Sequence, residues 1–231
     1  MIRSLIFLTY MFVLSVILGL IAMPVLLKRE WSIAFSKFWA RSVLVGLTVF
    51  CGIKDQIIGE ENLPKDAALI ASKHQSMWET LRLTTILERP SFVLKKELKH
   101  WPIFSWYCRA NGFIFIDREA GASSLRDMTN QAKDRLAEGA QIVIFPEGTR
   151  SKPGERIPYQ PGVAMLAKTL GVPTVPVRHD SGRFWKQPGP KKEPGTVTLT
   201  ILPAINDASN RKTFLRSLET AIEGDEPAVA A

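Results

Sequence analysis

Metal-ligand spacing is absent from this chain: Cys51 and Cys108 stand far apart, with no second cysteine or histidine at the distances a zinc site needs, and two isolated thiols make no disulfide framework. A reducing compartment is the inference that follows. The Gly-x-Ser-x-Gly elbow that presents a serine nucleophile is missing too, which argues against a lipase-type hydrolase. There is no internal repeat and no packed basic arm. The formal charge of +8 is spread along the 231 residues, so nucleic acid is not expected as a partner and anionic lipid fits better. That length accommodates a short membrane segment plus one globular domain of roughly 150 to 200 residues.

Charge is missing altogether between Arg3 and Lys28. Leu5 to Leu27 is dominated by Leu, Ile, Val, Phe and Met and is long enough to cross a hydrocarbon core of about 30 Å. A cleaved signal peptide is the alternative, but its apolar region usually runs about 7 to 15 residues and ends in an A-x-A-like site, which Gly19 to Pro24 does not supply. A retained anchor is therefore expected. Trp31 to Phe50 is apolar but interrupted by Lys37 and Arg41, whose spacing of four puts both on one helix face, as in an interfacial helix. Only Arg3 precedes the anchor, whereas Lys28, Arg29, Lys37 and Arg41 follow it, so the positive-inside bias places the rest of the chain on the cytoplasmic side. A hairpin dipped into one leaflet would leave that side unchanged.

After Gly59 short apolar runs alternate with stretches of helical period. Strands are expected near Ala67 to Ser72, Ser91 to Lys95, Phe113 to Ile116, Gln141 to Phe145, Thr174 to Arg178 and Thr196 to Leu202. Helices are expected around Glu79 to Leu87, Glu97 to Ala110, Ser123 to Glu138, Pro161 to Leu170 and Ala208 to Ile222. The alternation implies an α/β domain over residues 54–223 with a largely parallel central sheet flanked by helices, preceded by the membrane-associated segment 1–53 and followed by a loose tail, 224–231. In open α/β sheets ligands bind beyond the carboxyl ends of the strands, so the residues just after each strand are the ones to inspect.

Three such loops carry chemistry. The first places His74 at a strand end and Glu79 in the first helical turn, an imidazole beside a carboxylate as general-base catalysis uses; Ser76-x-x-Glu79 also fits a simple capping box. The second delivers Asp117 and Arg118 to the same edge, where Arg118 could grip a phosphate with two parallel hydrogen bonds, or be an ordinary polar residue at a strand exit. The third, Phe145 to Ser151, packs Glu147, Gly148, Thr149 and Arg150 into four positions, offering backbone N–H groups, a hydroxyl and a cation to an anion; as a turn rich in Pro and Gly it could equally be a connector.

In order, His74-x4-Glu79, Gly112 to Arg118, Phe145 to Ser151 and Val172 to Val177 resemble the four blocks of the bacterial 1-acyl-glycerol-3-phosphate acyltransferase family. The resemblance spans about Leu69 to Val177 and includes the Lys95-Lys96-Glu97-Leu98-Lys99 stretch that leads into the second block. It implies transfer of a fatty acyl group from acyl-CoA or acyl carrier protein to the sn-2 hydroxyl of lysophosphatidic acid, with no cofactor and no metal, at the cell inner membrane. It further implies that His74 is the general base, that Glu79 orients it, and that Arg118, Glu147, Gly148, Thr149, Arg150 and Lys96 bind substrate. His100 and His179 lie outside the blocks. One departure is visible: the family's first block ends in Asp where this chain has Glu79. The same chemistry on another lysophospholipid or a lyso-ornithine lipid, and a non-catalytic membrane-surface protein, are the alternative readings.

Overall fold

Two central runs, Ala68–Ser72 and Gln141–Ile144, are buried at every position, which a strand tolerates only when helices cover both faces of its sheet. The computed structural model describes residues 1–117 and 121–224, and these runs form β2 and β5 at its centre. Around them lie β1 (Ile53–Ile58), β3 (Pro90–Lys95), β4 (Ile114–Ile116), β6 (Thr174–His179) and β7 (Gly195–Ile201). The seven strands run in the order β1-β7-β6-β2-β5-β3-β4, every neighbouring pair parallel except β6 with β7. The largely parallel sheet expected from the alternation is therefore present.

Alternation along β2 divides the core in two. Ala68 and Ile70 face one side, with α3 (Trp78–Ile86) and the N-terminal helices; Leu69 and Ala71 face the other, with α5 (Gly121–Ala137), α6 (Pro161–Leu170) and α7 (Arg211–Glu223). The expected strands and the helices near Ser123, Pro161 and Ala208 all form, with boundaries shifted by a few residues.

Two elements differ from expectation. The sequence Ile53-Lys-Asp-Gln-Ile-Ile is a strand at the sheet edge, its alternating burial reflecting one covered face; polar residues on the open face had hidden it among linker residues. The stretch from Glu97 to Ala110 is not one helix. A 3-10 turn at Lys96–His100 is followed by Pro102 and by Ile103 at φ +60°, a strained value for a branched residue, before α4 (Phe104–Ala110) begins.

The N-terminal segment is a helical hairpin, α1 (Ile2–Ile21) and α2 (Arg29–Cys51), joined by a 3-10 turn at Met23–Leu27. Tyr10 donates to the Ser42 carbonyl at 3.0 Å, Trp39 Nε1 to Ser15 Oγ at 3.0 Å, and the tyrosine ring lies so close to Gly46 that a Cβ there would sit 2.2 Å from it. Both ends of the hairpin dock on the sheet domain. Near one end Phe7 is fully buried, edge-on to Trp185 at 5.5 Å; near the other the Tyr107 hydroxyl donates to the Gly19 carbonyl at 3.0 Å and Arg29 to the Asn111 carbonyl at 3.0 Å. Ala40, Val43 and Leu47 join the same core as Ile70 and Trp78. The opposite face leaves Leu5, Phe12, Ile17, Trp31, Phe38 and Val49 exposed.

Candidate active site

The carboxyl ends of β2, β5 and β6 are neighbours in the sheet, so the loops that leave them meet. The loop after β2 carries His74, and the turn into α3 carries Glu79. The imidazole Nδ1 and Glu79 Oε1 are 2.8 Å apart. The carboxylate is fully buried and collects further donors: the Gln75 N–H at 3.0 Å, the Ser76 N–H at 2.9 Å, the Ser76 hydroxyl at 2.7 Å and the Ser181 hydroxyl at 3.0 Å. Burial alone would raise its pKa, but neighbouring His179, the hydrogen bond to His74 and the Ser76 N–H outweigh that and hold it well below the usual carboxylate range. An ionised partner only accepts, so Nδ1 carries a proton toward Glu79, and in the neutral ring the lone pair is on Nε2.

Both readings of Ser76-x-x-Glu79 are realised at once. Ser76 Oγ accepts the Trp78 N–H at 3.0 Å while Glu79 reaches back to the Ser76 N–H, as in a capping box, and the same carboxylate orients His74. The length of Glu79 lets one oxygen serve the imidazole and the other the two serine hydroxyls.

Phe145, at the exit of β5, stacks on the His74 ring with centroids 4.0 Å apart and planes 16° from parallel. The turn that follows is stitched to the His74 loop. Glu147 accepts the His74 N–H at 2.7 Å, the Ser151 N–H donates to the His74 carbonyl at 2.8 Å, and Arg150 Nε donates to the Ser76 carbonyl at 3.1 Å. A second guanidinium nitrogen of Arg150 reaches Gln187 Oε1 at 3.2 Å. Gly148 at φ +70° makes the tight turn possible, leaving Thr149 and Arg150 exposed. Glu147 is turned inward instead. Its side chain is fully buried, with Oε1 2.7 Å from Lys73 Nζ but off the hydrogen-bonding direction. Lys96 pairs with Asp117 at the exit of β4, two strands along the same edge of the sheet from this turn. Arg118 lies outside the described residues.

His179 is the residue that sequence reasoning passed over. Its Nδ1 accepts the Ser181 N–H at 3.3 Å, so Nε2 carries the proton and donates to the Lys73 carbonyl at 2.8 Å, 3.9 Å from Glu79 Oε2. Buried and engaged at both nitrogens, it is a support, whereas among the described residues Nε2 of His74 makes no hydrogen bond and the ring is 17% exposed. The available signal was its place at the exit of β6, the strand beside β2.

Beside the His74 loop opens a cleft of 460 Å³ between the sheet, α5 and the start of α6. Val93, Ile116, Leu125, Met128 and Val163 make its walls apolar, and Phe145 to Thr149 form the end nearest His74. Among the described residues no group of His, Cys, Asp and Glu could hold a metal ion.

Comparison with known proteins adds three findings. A family model described as Acyltransferase matches residues 55–180. A 1-acyl-sn-glycerol-3-phosphate acyltransferase of Pseudomonas aeruginosa is 38% identical over 168 residues, which is 73% of this chain and 65% of that protein, so the chain spans just under two thirds of this relative's length; the human alpha form is 27% identical over 191 residues, 81% of this chain and 67% of that protein. The crystal structure of the Thermotoga maritima 1-acyl-sn-glycerophosphate acyltransferase PlsC superposes with a TM-score of 0.79 over 96% of this chain and 94% of that one, at 23% identity, which shows that the fold is shared.

Proposed function

The chain belongs to the acyltransferase family, and from that premise we propose that it moves a fatty acyl group from a thioester, acyl-CoA or acyl carrier protein, onto the free sn-2 hydroxyl of 1-acyl-glycerol-3-phosphate to give phosphatidic acid. The observation that carries this reading is the His74–Glu79 pair, in which a buried carboxylate holds the imidazole by its Nδ1. His74 Nε2 takes the proton of the acceptor hydroxyl, and the alkoxide oxygen attacks the thioester carbonyl. When the tetrahedral intermediate collapses, the carbon–sulfur bond breaks and the imidazolium returns the proton to the leaving thiolate. Glu79 holds the tautomer and stabilises the imidazolium, as the acid of a serine-hydrolase triad does. No serine and no covalent acyl-enzyme are needed.

The acceptor's phosphate falls to Arg150, fixed through its Nε and one terminal nitrogen, to the exposed Thr149 and to Arg118, with Lys96 at the margin. The backbone of the Gly148 turn is the donor for the oxyanion. Glu147 serves this scheme from beneath, holding the His74 backbone. The apolar cleft takes an acyl chain.

The hairpin explains how a soluble-looking fold meets an insoluble substrate. Both helices are long and apolar enough to cross a bilayer, but the hairpin is docked on the sheet domain near both ends, which favours a pair lying in one leaflet with Phe12, Ile17 and Phe38 toward the acyl chains. Lys28, Arg29, Lys37 and Arg41, which follow α1, favour the cytoplasmic face of the inner membrane for the domain.

Incubating the purified protein with a labelled acyl donor and a panel of lyso-lipids tests the assignment. Labelled phosphatidic acid from lysophosphatidic acid is the expected product. A protein that acylates only a different lyso-lipid loses the acceptor assignment, and one that acylates none loses the activity.

A further inference from the structure

Lys73 immediately precedes His74, and its side chain is 6% exposed. Its ammonium lies 2.7 Å from Glu147 Oε1, 2.7 Å from each oxygen of Glu223 and 3.3 Å from the Glu155 carbonyl. Glu223 is the last residue of α7, 150 positions away in the chain. The Tyr159 hydroxyl donates to Glu223 at 2.9 Å, and Arg156 donates to the Gly224 carbonyl at 3.2 Å. The end of α7 thus holds the segment that runs from the Gly148 turn into α6, and through Lys73 it holds the base of the His74 loop. The path ends at the catalytic ring's own backbone, because the other oxygen of Glu147 accepts the His74 N–H.

Two buried carboxylates around one ammonium are a costly way to stabilise a fold, since apolar residues of similar volume usually do as well. What such a cluster supplies is direction: an ammonium held by two acids and a carbonyl cannot shift without breaking charge-assisted bonds. Resting on the assignment of His74 as the base, we propose that Glu223 is a positioning residue for acyl transfer, acting through Lys73 to hold His74 against Glu79, with Tyr159 orienting the Glu223 carboxylate.

The test uses the full-length protein in detergent. Glu223→Ala should lower kcat about 10- to 100-fold while both KM values stay within about twofold, because misplacing a base by an ångström or less affects the chemical step and not binding. The proton that His74 Nδ1 shares with Glu79 gives a downfield resonance, assigned by its absence in His74→Ala, and that resonance should shift or broaden in Glu223→Ala. Glu223→Gln, which keeps an acceptor for Lys73, should restore most of the turnover and return the resonance. Wild-type kcat with an unmoved resonance in Glu223→Ala overturns the proposal, and so does a lost kcat with the resonance unmoved. If Glu223→Ala does not fold, Tyr159→Phe decides: a severalfold lower kcat with a shifted resonance supports positioning, and full turnover with an unchanged resonance refutes it. The resonance needs no turnover, so a protein inactive on every lyso-lipid would sink the assigned activity while this proposal is still judged on the spectrum.

Discussion

Replacing Glu79 by Gln separates its two roles. The amide keeps the size of the side chain and one acceptor oxygen. With that oxygen toward His74 and the Gln75 N–H, the NH2 group faces the hydroxyls of Ser76 and Ser181, which can rotate to accept. The capping arrangement tolerates Gln, so the fold should survive. The charge does not. At the 2.8 Å separation of His74 Nδ1 and Glu79, a full imidazolium is stabilised by about 6 kcal/mol at an effective dielectric constant of about 20. With roughly half of the proton transferred in the transition state, about 3 kcal/mol of that reaches the barrier, which is about 10²-fold in rate. Glu79→Gln is therefore expected to lose about 10²-fold in kcat under saturating donor and acceptor, with the circular dichroism of the wild type. A variant that keeps a third of wild-type turnover would show that the carboxylate is only a helix cap. Glu79→Asp should fall between, because the shorter arm cannot reach the imidazole and both serine hydroxyls together.

Three further outcomes follow from the same geometry. Arg150→Ala should raise the acceptor KM with little change for the donor, by the roughly 1.5 to 3 kcal/mol of a charge-assisted contact, about 10- to 100-fold; a rise in donor KM instead would assign the arginine to the thioester substrate. Phe7→Ala should cost about 3 to 5 kcal/mol in thermal or denaturant unfolding, and deletion of residues 1–27 should leave an unstable remainder, because Phe7 is fully buried against the sheet domain; a well-folded soluble truncation would contradict the shared core. Burial lowers the Lys192 pKa to about 8 despite the opposing influence of Cys51. The unfolded chain then binds the extra proton between about pH 8 and 10.5, and stability gains from this group as pH rises through that window; Lys192→Met should flatten that part of the stability profile, and an unchanged slope would refute the depressed pKa.

Spacing alone determined the parts of this protein that lie within one loop or one element. His74 and Glu79 are five residues apart across a strand-to-helix turn, too few for the chain to separate them, so their pairing was legible before any fold was known. The same holds for the buried runs of β2 and β5 and for the turn at Gly148, where residue type and local backbone preference agree. The edge strand β1 was not legible, because polar residues on an open face carry no signal until β7 lies beside them. Glu147 read as a substrate contact and turned out to be engaged beneath the loop, a direction that only the neighbouring Lys73 sets. Strand order brought His179 and Ser181 to Glu79, and helix packing brought Glu223 to Lys73. The apolar N-terminus announced its affinity for lipid by composition, but that its inner face completes the core of the sheet domain was decided by the fold. Contacts between residues a hundred or more positions apart depend on which elements become neighbours, and periodicity along a single chain does not encode that.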